Sequence, residues 1–168
     1  ETTFLSVLNP RPGKKESTMK SSLIDEDTFI GAIVNHEKAT DIVLFTRDGN
    51  TGGMKTESLE ANAERCAVRL DSRGKVEKAI IRGTTLSVGG NVLLSSDRQV
   101  IAAIQFGRDV IELDVEVPGD SAAGVTVQVP NRPSSVVFDG IVKDNWHSGD
   151  GIVMIQAPTG RSNVKIMR

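Results

Sequence analysis

Few residues in this chain are placed to do chemistry. Trp146, the one tryptophan, stands beside His147 in the polar stretch 144–150, with Asp144 and Asn145 just before it. An indole in such a loop can stack on a sugar ring while its polar neighbours reach the hydroxyls. The plainer reading is a Trp folded back as a lid on the core. Near the start, Arg11, Lys14 and Lys15, followed by Lys20, form a basic cluster that could hold an anionic group. Its plainer reading is a solvated loop.

Three carboxylates, Glu112, Asp114 and Glu116, alternate with Ile111, Leu113, Val115 and Val117. On a strand they would stand roughly 7 Å apart on one face. That spacing could supply half of an acid/base or calcium site, but a wet sheet face explains it equally and is the reading adopted. Asp48 and Asn50 carry oxygens two residues apart, as calcium loops do, yet no further acids complete a coordination set. A tight turn is expected there. Cys66 has no base near it in sequence and reads as a small core hydrophobe. No Gly-x-Ser-x-Gly elbow, phosphate-binding glycine loop or zinc-ligand spacing occurs. No catalytic residue, metal ligand or cofactor is therefore assigned.

The elements that must position these residues read as strands. Residues 29–34 (FIGAIV) and 41–45 (DIVLF) form a hairpin across residues 36–39. Residues 66–70 and 76–81 form a second hairpin around the turn Asp71-Ser72-Arg73-Gly74. Residues 109–129 read as a third, both arms alternating about a Pro-Gly-Asp-Ser break. Residues 84–88, 92–94 and 100–106 are expected as three short runs, with turns at 89–91 and 95–98. Residues 135–142 are a strand pair or one bent strand, with Gly140 marking a bulge. Only residues 57–65 (ESLEANAER) carry helix propensity, enough for a short helix or a turn.

The expected fold is all-β, an antiparallel β-sandwich of about a dozen short strands with little helix. A length of 168 residues suits a single domain, 1–168. The net charge of −2 does not suggest a nucleic-acid surface. No apolar run approaches the length of a membrane span. The chain opens on Glu rather than Met and is expected to be processed or, on the reading adopted, an excised piece of a longer protein.

Three stretches carry a family resemblance. Phe4-Leu5-Ser6-Val7-Leu8-Asn9-Pro10 resembles the F-L-x-V-L-x-P strand in the C-terminal β-region of heparinase II/III-like polysaccharide lyases. Asp41-Ile42-Val43-Leu44-Phe45-Thr46-Arg47-Asp48-Gly49 is similar to their D-x-V-L-F-N-R-x-G stretch. Residues 74–86 (GKVEKAIIRGTTL) stand where that family has G-x-V-x-x-A-x-x-x-x-G-T-x-L. The likeness covers roughly the first half of the chain by motif and the rest by character. It implies a parent that cleaves uronate-containing polysaccharide by β-elimination, in the periplasm or outside the cell. It also implies an N-terminal α/α-toroid partner, with this β-region packing on it and walling the substrate cleft. The family's catalytic groups are Tyr and His, lying mainly in the toroid and in the β-region upstream of the F-L-x-V-L strand. The chain has no Tyr, none of those groups maps onto it, and alone it should be inert. Arg11, Lys14 and Lys15 would then face the acidic polymer. The alternative is a stand-alone carbohydrate-binding or structural interaction module of a secreted or cell-surface protein, using Trp146 and His147.

Overall fold

The structure is a computed structural model that describes residues 19–143, 146–149 and 151–168. The stretch Phe4 to Pro10, the cluster Arg11, Lys14 and Lys15, and the pair Asp144 and Asn145 lie outside the described residues. Every regular element among the described residues is a strand. No helix there is long and apolar enough to cross a membrane.

The strands run β1 (Lys20–Asp25), β2 (Phe29–Asn35), β3 (Ala39–Thr46), β4 (Gly52–Lys55), β5 (Leu59–Asp71), β6 (Val76–Val88) and β7 (Asn91–Phe106). They continue as β8 (Val110–Val117), β9 (Ala123–Gln128), β10 (Ser135–Phe138), β11 (Ile141–Lys143), β12 (His147–Gly149), β13 (Ile152–Ala157) and β14 (Gly160–Met167). All pairings are antiparallel and join one sheet. One half is ordered β1-β2-β3-β5-β6-β7-β8-β14-β10-β11. The other half runs β4-β5-β6-β7-β9-β13-β12. The long strands β5, β6 and β7 pass through both halves. Leu113 of β8 and Val127 of β9 belong to one buried cluster, so the halves face each other as layers of an open-edged sandwich.

Strands β5 and β6 change phase where they pass from one half to the other, while β7 keeps its phase on either side of a wider bulge. In β5 the buried positions are Leu59, Ala61 and Ala63, then Cys66 and Val68. In β6 they are Ala79 and Ile81, then Leu86 and Val88. The pairing skips Glu64 on β5 and Thr84 on β6. A one-residue bulge inverts which parity faces inward, and so keeps an apolar face on the core through the bend. On β7 the partners of Thr85 and Gly83 are Ser95 and Val100, so residues 96–99 swell out of the ladder. Gly83 lies at this level. A Cβ there would sit 2.4 Å from both Ala63 Cα and Asn62 O.

Several expectations need correction. Residues 109–129 do not form a hairpin: β8 pairs with β7 and β14, while β9 pairs with β7 and β13. Residues 118–122 instead carry the chain from one half to the other, and the step from β13 to β14 does the same. Residues 57–65 are not helical; from Leu59 they belong to β5, because Leu59, Ala61 and Ala63 are buried at period two. Residues 95–98 are not a turn but the bulged middle of β7. Gly140 is not a bulge. Asp139 (φ 48°) and Gly140 (φ 82°) are the centre of a two-residue hairpin turn between β10 and β11. The hairpins β2/β3 and β5/β6 stand as expected, the latter closed by Asp71, whose carboxylate accepts the Arg73 and Lys75 N–H groups at 2.8 Å each.

Candidate functional site

The acidic row of β8 is spent within the sheet. β14 lies beside it and sets Lys165 opposite Glu112, Asn163 opposite Asp114 and Arg161 opposite Glu116. Lys165 Nζ lies 3.2 Å from Glu112, and Asn163 Nδ2 donates to Asp114 at 3.0 Å. The row is a cross-strand ladder on the outer face rather than half of a site. Asp48 is likewise occupied. Its carboxylate accepts the Asn50 N–H at 2.9 Å and Asn50 Nδ2 at 3.1 Å, which holds its pKa below the ordinary value. The tight-turn reading stands. Among the described residues no three His, Cys, Asp or Glu side chains gather as metal ligands would.

His36, which no motif singled out, is tied to Asp41. Asp41 accepts both Arg69 Nε and a terminal Arg69 nitrogen at 2.7 Å, and contacts His36 Nε2 at 2.9 Å. The Arg69 hydrogen bonds foremost, with His36 adding to them, hold the Asp41 carboxyl below the usual range. This bidentate pair clamps β3 to β5 on the outer face.

Cys66 is buried in the core, as expected, and burial pushes its thiol up to about 12. At neutral pH it is a thiol, not a thiolate nucleophile. A thiol-specific reagent at pH 8 should therefore leave native protein unmodified and label it at the rate of unfolding. Immediate stoichiometric labelling would contradict this packing.

Trp146 and His147 are where the surface opens. His147 begins β12, a three-residue strand whose one partner among the described residues is β13. Trp146 precedes it, half-buried, with its ring against the core cluster. The ring also walls two clefts. One, of about 310 Å³, is lined by Phe138, Asp139, Ile141, Gln156 and Pro158. The other, of about 510 Å³, is lined by Arg132, Ser134, Ser135, Val142, His147 and Ser148. Trp146 is thus half-buried, with its ring packed on the core and bordering both clefts. His147 walls a third cleft of about 550 Å³, which includes Ser95, Asp97, Thr126, Met154 and Gln156.

No family model matches this chain, and no curated protein is significantly similar to it. What the surface can bind follows from its groups. An indole face offers apolar contact to a flat ring. Arg132 offers a planar fork of donors for a carboxylate, and the serines and His147 offer hydrogen bonds. Nothing in the sequence marks Arg132, since the flanking Pro130 and Pro133 signal only a break in the chain. The fold brings it beside Trp146 across some fourteen residues of sequence. The cluster Arg11, Lys14 and Lys15 lies outside the described residues.

Proposed function

We propose that this chain is a supporting β-sandwich of a protein acting on uronate-containing polysaccharide, and that it touches the polymer through Trp146. The observation that carries the reading is the placing of Trp146 between two clefts, with Arg132, Ser134, His147 and Ser148 around one of them. An aromatic platform with a guanidinium and hydroxyls is what a carboxylate-bearing sugar requires. The sequence resemblance to the C-terminal β-region of heparinase II/III-like lyases supplies the wider setting. In it, an α/α-toroid would perform the β-elimination, in the periplasm or outside the cell. This chain would wall the cleft and be inert alone. The runner-up is a stand-alone carbohydrate-binding module. The Trp146 surface is assembled from this chain's own residues, which favours binding without a partner domain.

The test of the acidic-sugar reading is Arg132→Ala. The wild-type protein should bind an oligouronate more tightly than its neutral analogue, and Arg132→Ala should remove that preference, a loss of about five- to tenfold. The wild-type preference should shrink in high salt, since Arg132 is exposed. Equal binding of acidic and neutral sugars by the wild type would remove the uronate from the reading. Measurable release of unsaturated uronate by this chain alone would remove the supporting role.

A further inference from the structure

The Trp146 surface does not end at His147. The strand registers carry it across the sheet. His147 pairs with Met154, Met154 with Thr126, and Thr126 with Ser95. Ser95 pairs with Thr85, and Thr85 with Asn62. These six residues therefore lie in one row that crosses β12, β13, β9, β7, β6 and β5 at right angles to the strands. Their sequence neighbours Val153, Val127, Leu94, Leu86 and Ala61 are buried, so the row faces outward. His147, Met154 and Asn62 are exposed, and Thr126, Ser95 and Thr85 are half-buried. Five inter-strand steps span about 24 Å.

The row is concave at its start. Ser95, Thr126, His147 and Met154 all line the cleft of about 550 Å³, which meets the cleft of Trp146 and Arg132 at His147. The row's own side chains are hydroxyls, an amide, an imidazole and one thioether; the Asp97 carboxylate, which accepts the Gly124 N–H at 3.1 Å, also lines the cleft at its start. Such a lane suits a hydroxyl-rich chain, which it can grip by hydrogen bonds and by apolar contact with Met154.

We propose that an extended oligosaccharide lies across the strands along this lane, with one acidic unit held at Trp146 and Arg132. The proposal rests on the glycan reading above and adds to it a length, a direction and a division of labour. Trp146 and Arg132 fix one end, and the row of hydroxyl and amide side chains grips the rest.

The experiment titrates the full chain with a disaccharide, a tetrasaccharide and a hexasaccharide of one uronate polymer. Wild-type affinity should rise at least about tenfold from disaccharide to hexasaccharide. Thr126→Glu, which puts bulk and negative charge in mid-lane, should erase most of that gain and leave disaccharide affinity unchanged. Asn62→Lys adds a cation at the far end. It should tighten hexasaccharide binding, an outcome that misfolding could not mimic, and should not affect the disaccharide. Binding that is independent of length, or variants that change all three ligands alike, would overturn the lane while leaving the Trp146 reading standing. No binding at any length by the wild type would overturn both.

Discussion

Replacing Gly83 by alanine is expected to cost about 3 kcal/mol of stability, close to the largest effect of a single methyl group anywhere in this fold. The reason is geometric. Gly83 sits opposite Ala63 where β5 and β6 bend together from one half of the sheet to the other. An added Cβ would lie 2.4 Å from Ala63 Cα, 2.4 Å from Asn62 O and 2.5 Å from Ala63 Cβ. Two of these three atoms are backbone and none is the end of a flexible side chain, so the bend itself must open. That would disturb β5, β6 and β7 together, because β5 and β6 change phase at this level and β7 bulges beside them. Chemical denaturation should show a lower midpoint with an unchanged slope. For a chain of this size the loss corresponds to a fall of roughly 6 to 12 °C in Tm. Ala at the neighbouring Gly53, where a Cβ meets nothing within 4 Å, is the control and should be nearly neutral. A Gly83→Ala protein as stable as wild type would mean that the strands do not bend where the register places the bulges.

Trp146→Ala should weaken oligouronate binding by about thirtyfold, roughly 2 kcal/mol, as truncating an aromatic anchor at the centre of a site does. The ring also packs on the core, so some stability will go with it. Trp146→Phe separates the two roles. A phenyl ring keeps a stacking face and most of the packing, and should retain affinity within a few-fold. Parallel loss of binding and folding in both variants would make Trp146 a lid only.

Much of the architecture can be read directly from residue types. The β2/β3 and β5/β6 hairpins follow from β-branched runs flanking short polar links, where local turn chemistry fixes the partner. The pairing of β8 and β9 does not follow in that way. Alternation in Ile111–Val117 and Val125–Val129 tells which face is buried but not which strand lies alongside. Either a hairpin or a crossing between layers satisfies the same pattern. Two such crossings run together here, from β8 to β9 and from β13 to β14, and only the register reveals them. The bulges at Glu64 and Thr84 hid the long strands for a related reason. Each inverts the period-two phase, so one thirteen-residue strand looks like two short runs. Residues 57–65 misled because Glu and Ala favour helix in isolation, while burial of Leu59, Ala61 and Ala63 in a sheet outweighs that preference. Within the site, Trp146 and His147 stood out as rare residues in a polar loop. Arg132 did not, since its partnership with Trp146 exists only once β10 and β12 are folded.

The most direct measurement uses the fact that Trp146 is the chain's one tryptophan. Intrinsic tryptophan emission therefore reports on this ring alone. Titrating the protein with an oligouronate should give a saturable change in intensity and wavelength. Its midpoint should match the affinity found by calorimetry on the same sample, and a neutral oligosaccharide of equal length should shift it to higher concentration. Calorimetric binding with unchanged tryptophan emission would place the glycan elsewhere on the sheet, and no heat or spectral change with any acidic oligosaccharide would contradict the account altogether.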